Sequence, residues 1–250
     1  MSDDRKRNAG GAGLPRTAGE SPAAGLRHAS HPTTPPIAAP SILSADFSRL
    51  SEELAIVDPD RDWVHCDVMD NHFVPNLTFG PLLVAAVRKL TPAFVDVHLM
   101  IDEPLRIVPE FREAGADQIT VHLEACADVA ATLAAVRAGG ARVGLALKPG
   151  TPLAAAEGYL ADLDLLLIMT VEPGFGGQAF MDDMLEKVRA AAAWRQARGA
   201  RYLIEVDGGI APDTARRARA AGAEVFVAGH AVYRERDPHV ALAVLRQAIG

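Results

Sequence analysis

The chain has 250 residues, of which 49% are apolar and only 5% aromatic, and it carries a formal net charge of -7. That length suits one α/β barrel or two smaller domains, with a core built mainly of Ala, Val, Leu and Ile. The acidic balance argues against a nucleic-acid binder that depends on phosphate contacts, while leaving room for a small anionic ligand held by backbone N–H groups.

Residues 1–36 are rich in Gly, Ala, Pro, Ser, Thr and charge and show no apolar period. They are expected to form a disordered extension, with a barrel domain over 37–250. Asp3, Asp4, Arg5, Lys6 and Arg7 precede no apolar h-region, so no secretory signal is expected. No apolar run approaches about 18 residues, so no membrane span is expected either. The two cysteines, Cys66 and Cys126, lie outside any CxxC motif and fit a reducing compartment, which makes a cytoplasmic location the expectation.

From Ile37 onward, short β-like runs alternate with segments of helical spacing. The runs are 37–43, 63–68, 93–99, 118–122, 142–147, 163–169, 202–206 and 224–228. Met184, Leu185, Val188, Ala191 and Ala192 give one helical stripe, which ends at Arg195. Candidate helix caps are Ser44 or Asp46 before Phe47, Asp182 before Met184, and Asp213 behind Pro212. Eight strand–helix units at roughly 25 residues each match a closed (β/α)8 barrel. An open doubly wound sheet would usually carry a Gly-rich turn after its first strand, and Ser41-Ile42-Leu43-Ser44 is not one.

Barrels of this kind place working residues at the C-terminal ends of their strands. Three strands end in acids and imidazoles: His65-Cys66-Asp67, Asp96-Val97-His98 and Glu205-Val206-Asp207. Alternation puts His65 and Asp67 on one face and Cys66 on the other. If the strands are neighbours, His65, Asp67, His98 and Asp207 form a site for one divalent ion, with Zn, Fe, Mn and Co all suited to such ligands. Asp67 and Asp207 are the candidate acid/base pair. On opposite faces of a substrate they would remove a proton from one side and return it on the other, with the ion stabilising an enediolate.

Gly174, Phe175, Gly176 and Gly177 follow the sixth run, Gly208 and Gly209 the seventh, and Gly229-His230 the eighth. These turns are candidates to aim N–H groups at a phosphate. Met69, Met100 and Met169 sit at three strand ends and are read as an apolar floor beneath the reacting carbon.

The segments Pro40–Asp46, His65–Asp70, Phe73–Asn76, Asp96–Met100, Val171–Gln178 and Glu205–Ile210 resemble the ribulose-phosphate 3-epimerase family. The resemblance covers about residues 37–249. It implies a barrel of the ribulose-phosphate-binding type, an isomerase of the pentose phosphate pathway that interconverts D-ribulose 5-phosphate and D-xylulose 5-phosphate, and a homo-oligomer. It also implies metal ligation by His65, Asp67, His98 and Asp207, a supporting role for Ser41 near the substrate, and phosphate contacts from the Gly turns. Two residues depart from the family pattern. Asn71 stands where Gly is usual, a tolerable change because Asn accepts φ > 0 best among non-glycines. His230 stands where Ser is usual. A related epimerase acting on a six-carbon ketose phosphate would show similar motifs, whereas a decarboxylase of the superfamily would need an Asp-x-Lys cluster at a strand end, which none of the eight runs carries. A non-catalytic phosphate-binding barrel would not need the four candidate ligands.

Overall fold

The structure is a computed structural model that describes residues 34–250. The expectation of disorder for residues 1–36 therefore falls, up to residue 33, outside the described residues.

Eight parallel strands are present among the described residues: β1 (Ile37–Pro40), β2 (Trp63–Met69), β3 (Phe94–Met100), β4 (Gln118–His122), β5 (Arg142–Leu147), β6 (Leu165–Met169), β7 (Leu203–Asp207) and β8 (Val225–Ala228). Their order is β1-β8-β7-β6-β5-β4-β3-β2. Bridges from Ala38 to Asp62 and from Ser41 to His65 bring β1 back to β2 and close the barrel. Around it run α1 (Leu50–Leu54), α2 (Pro81–Leu90), α3 (Val108–Glu113), α4 (Val129–Ala138), α5 (Met184–Arg198), α6 (Pro212–Ala221), α7 (His230–Tyr233) and α8 (Pro238–Ile249).

Both faces of each strand are covered, so the strands read as nearly continuous apolar runs. On β2, Val64, Cys66 and Val68 belong to the outer core between strands and helices. Trp63, His65, Asp67 and Met69 take the alternate positions and point inward. At the N-terminal end of the barrel Trp63 and Phe94 stack with centroids 4.4 Å apart, and the Arg142 guanidinium lies 5.7 Å from each ring. Burying Phe94 there contributes roughly 1.5–3 kcal/mol. The interior is therefore apolar at one end and polar at the other, and the polar end is the rim where the βα loops begin.

Several local features differ from the sequence reading. β1 stops at Pro40 because Ser41 starts a 3-10 turn over Ile42–Ser44, its Oγ accepting from the Leu43 N–H at 3.3 Å. Asp46 caps the turn Phe47–Arg49 through the Ser48 N–H, as expected. Asp182 does not cap α5; it pairs with Arg217. Asp213 sits in the first turn of α6, but the N-terminal bond is made by Thr214, whose Oγ1 accepts from the Ala211 N–H at 2.8 Å. Between β5 and β6 there is no α-helix, only 3-10 turns at Leu153–Ala156 and Leu160–Asp162. Pro149, Pro152 and Gly158 punctuate that segment too closely for a longer helix. β2, β3 and β7 each end one residue later than their β-like runs, taking in Met69, Met100 and Asp207.

Candidate active site

Strand register brings the separated motifs together. β2 pairs with β3 so that His65 faces Asp96 and Asp67 faces His98, and β6 pairs with β7 so that Met169 faces Asp207. Because all of these residues point inward, His65, Asp67, His98 and Asp207 converge, each with a ligand atom within 4.8 Å of the others. His65 Nε2 and His98 Nδ1 both lie 3.2 Å from Asp67 Oδ1, and His98 Nδ1 is 3.7 Å from Asp207 Oδ2. A tetrahedral ion with bonds of 2.0–2.1 Å has ligand–ligand edges of roughly 3.3 Å. Donor chemistry and spacing therefore both fit a divalent ion.

Above this cluster opens a cavity of about 270 Å³. Asp67, Asp207 and Ser41 line it on the polar side, and Met69, Met100 and Met169 on the apolar side. Ser41 Oγ donates to Asp67 Oδ2 at 2.5 Å, which orients that carboxylate. Gly174–Gly177, Gly208-Gly209 and Gly229-His230 also line the cavity. Gly209 has φ +64°, and a Cβ there would lie 2.5 Å from the Phe180 backbone nitrogen, so only glycine fits. The His230 ring packs over Gly176 and Gly177, its Nδ1 3.0 Å from Ser44 Oγ.

A model of the family described as "Ribulose-phosphate 3 epimerase family" matches residues 37–233. The chain is 48% identical over 215 residues to ribulose-phosphate 3-epimerase from Mycobacterium tuberculosis, covering 86% of this chain and 93% of the relative. It is 47% identical over 210 residues to the Bacillus subtilis enzyme of the same name, covering 83% and 97%. This chain belongs to the ribulose-phosphate 3-epimerase family. Solved barrels with lower identity share the fold. The 3-keto-L-gulonate-6-phosphate decarboxylase of Vibrio cholerae aligns with TM-score 0.61 at 21% identity, covering 86% of this chain and 98% of that one. The 3-hexulose-6-phosphate synthase of Salmonella typhimurium gives TM-score 0.62 at 20%, with the same coverage.

Seen as an epimerase site, the cluster has an uneven charge distribution in the metal-free protein. Burial alone would raise the Asp67 carboxyl, but the His65 and His98 imidazoles outweigh it and hold Asp67 far below the usual range. Burial and the negative charge of Asp67 push Asp207 up to about 7. Burial works against a charged His65, yet Asp67 and Asp96 on its two sides raise it well above its ordinary value. His98 is lowered, chiefly by burial.

Every residue assigned from the sequence to the cavity lines it except His98, which is fully buried behind Asp67. Asn71 sits at φ +59°, so the turn keeps the left-handed conformation that the family's glycine would supply. Asp70 stabilises that turn by accepting from the N–H groups of His72, Phe73 and Asp102. Membership of the family and the shared barrel say nothing of a membrane; no described helix is long and apolar enough to cross one.

The sequence reading gave no role to several groups that support the ligands. Asp96 Oδ2 accepts from His65 Nδ1 at 2.7 Å, leaving His65 Nε2 free to face the cluster, and Gln118 Nε2 donates to Asp96 Oδ1 at 2.9 Å. Glu205, buried beside Asp96, is raised well above the carboxylate range, first by burial and then by Asp96. His122 and Glu124 lie behind His98. Strand alternation could have flagged Asp96 and Glu205, since each lies two residues before a ligand on the same inward face.

Proposed function

We propose that this chain interconverts D-ribulose 5-phosphate and D-xylulose 5-phosphate by carrying a proton across C3, with Asp67 and Asp207 as the two proton carriers. The observation that carries this reading is that Asp67 and Asp207 both line the cavity and lie in one cluster with His65 and His98, with Ser41 donating to Asp67. In the metal-free protein the two carboxyls already differ, Asp67 held low and Asp207 raised to about 7.

His65, Asp67, His98 and Asp207 would hold one divalent ion. Bound there, it supplies positive charge next to the substrate's carbonyl oxygen and so makes the neighbouring C–H more acidic. The protein's own groups do the rest. Asp67, oriented by the Ser41 hydroxyl, takes the C3 proton from one face. Asp207 returns a proton to the other face, which inverts the centre. The exchange leaves Asp67 protonated and Asp207 ionised, which is the starting state for the reverse reaction. Met69, Met100 and Met169 present no exchangeable proton and keep water from the reacting carbon. The glycine turns and His230, which line the same cavity, would receive the phosphate.

The test is turnover of D-ribulose 5-phosphate in deuterated water, with and without a chelator, beside allulose 6-phosphate. The expected result is chelator-sensitive formation of xylulose 5-phosphate with deuterium at C3. Preference for the six-carbon ketose would keep the chemistry and replace the substrate. Product without deuterium at C3 would overturn the two-carboxylate assignment.

A further inference from the structure

Behind His98 a second polar chain leads away from the cavity. His98 is fully buried, with Nδ1 toward Asp67 and Asp207 and Nε2 only 2.9 Å from Nε2 of His122. His122 is also fully buried, and its Nδ1 lies 3.3 Å from Oε2 of Glu124. The other Glu124 oxygen, Oε1, accepts from the Lys148 N–H at 2.8 Å, which fixes the carboxylate at the start of the β5 loop. The Phe73 ring covers the outer face of His122, centroids 4.8 Å apart.

Two ring nitrogens 2.9 Å apart form a hydrogen bond only if one carries a proton and the other a lone pair. A nitrogen that ligates an ion must present its lone pair, so a ligating Nδ1 places the His98 proton on Nε2. Nε2–H of His98 then donates to Nε2 of His122, and the His122 proton must sit on Nδ1. There it meets an acceptor-only carboxylate. The reverse order would turn the Nδ1 lone pair of His122 toward Glu124 and place the His98 proton on Nδ1, where the ion belongs.

We infer that His122 and Glu124 are positioning residues that lock His98 in the tautomer able to ligate a metal through Nδ1. The inference rests on the metal-site reading above and adds two residues to it. The lock runs in one direction only because Glu124 can accept a proton from His122 but cannot donate one. A glutamine at position 124 has the same size but can also donate through its amide, so it permits either order. Outer partners of metal-bound histidines commonly contribute ten- to a hundredfold in metal affinity.

The test uses the full chain, titrated with Co²⁺ against a competing chelator, together with ¹⁵N NMR of the ring nitrogens in the Zn²⁺-loaded protein. Wild type is expected to show Nε2 of His98 and Nδ1 of His122 as the protonated nitrogens. Glu124→Gln and His122→Leu are expected to bind Co²⁺ ten- to a hundredfold more weakly. His122→Gln, whose amide oxygen can accept from His98, is expected to recover most of that loss. A protonated Nε2 on His122 in the loaded wild type, or unchanged Co²⁺ affinity in Glu124→Gln, would overturn the lock while leaving the metal site standing. Failure of the wild type to bind either ion would instead overturn the metal site itself.

Discussion

Replacing Asp207 by Asn should stabilise the metal-free protein while disabling it. Burial and the nearby Asp67 charge raise the Asp207 carboxyl from 3.8 to about 7. The unfolded chain ionises this group near its ordinary value, so between those two pH values the folded state holds the extra proton. Stability contributed by the neutral carboxyl is therefore complete below about pH 4 and is lost as pH rises through about 7. Moving from 3.8 to about 7 corresponds to ~4 kcal/mol. An asparagine never ionises, so it escapes this loss, although its amide must find partners of its own in the same setting. The expected net gain is about 2–4 kcal/mol at pH 8.5 and close to nothing at pH 4. Urea unfolding of chelator-treated wild type and Asp207→Asn at both pH values measures the difference. A variant no more stable than wild type at pH 8.5 would refute the account of Asp207 as a carboxyl strained by burial and by Asp67. The same substitution should lower turnover by at least about a hundredfold, the usual size of a positioned acid/base contribution.

Metal affinity should fall as pH drops, because loading the site must displace a proton from His65, which is raised well above its ordinary value in the metal-free protein; calorimetry in buffers of different ionisation enthalpy would detect the released proton. Gly209→Ala should destabilise the fold by about 1–3 kcal/mol and raise KM, since its methyl group would collide with the Phe180 backbone at a left-handed turn; a thermal melt and a substrate titration suffice. His230→Ser should alter KM a few-fold and leave bound metal unchanged, because the ring faces Gly177 and Ser44 rather than the ligand cluster. Loss of metal from that variant, read by elemental analysis, would contradict its placement.

Strand-end chemistry was legible in the chain because a β-strand alternates with a period of two. That rule alone put His65 and Asp67 on one face and sent Cys66 to the helix layer, as the structure has it. The left-handed turn at Asn71 was expected only from the family resemblance, which puts Gly at that position. Punctuation was less legible. Ser44 has the composition of a cap, yet its hydroxyl meets His230, a residue 186 positions away. Asp182 likewise turns from its helix to Arg217.

What the sequence determined by itself was the set of eight runs, their inward faces and the four candidate ligands, all consequences of local periodicity and residue chemistry. Only the tertiary structure decided which inward residues meet. Parallel register set His65 against Asp96 and Asp67 against His98, closure of the barrel carried Asp207 to the same point, and β4 supplied His122 as a partner for His98. Hydrogen bonds, and with them the protonation of each carboxyl and imidazole, depend on distances of a few ångströms between strands far apart in the chain. Burial then magnifies those interactions, because in a low-dielectric interior a neighbouring charge outweighs the residue's own intrinsic preference.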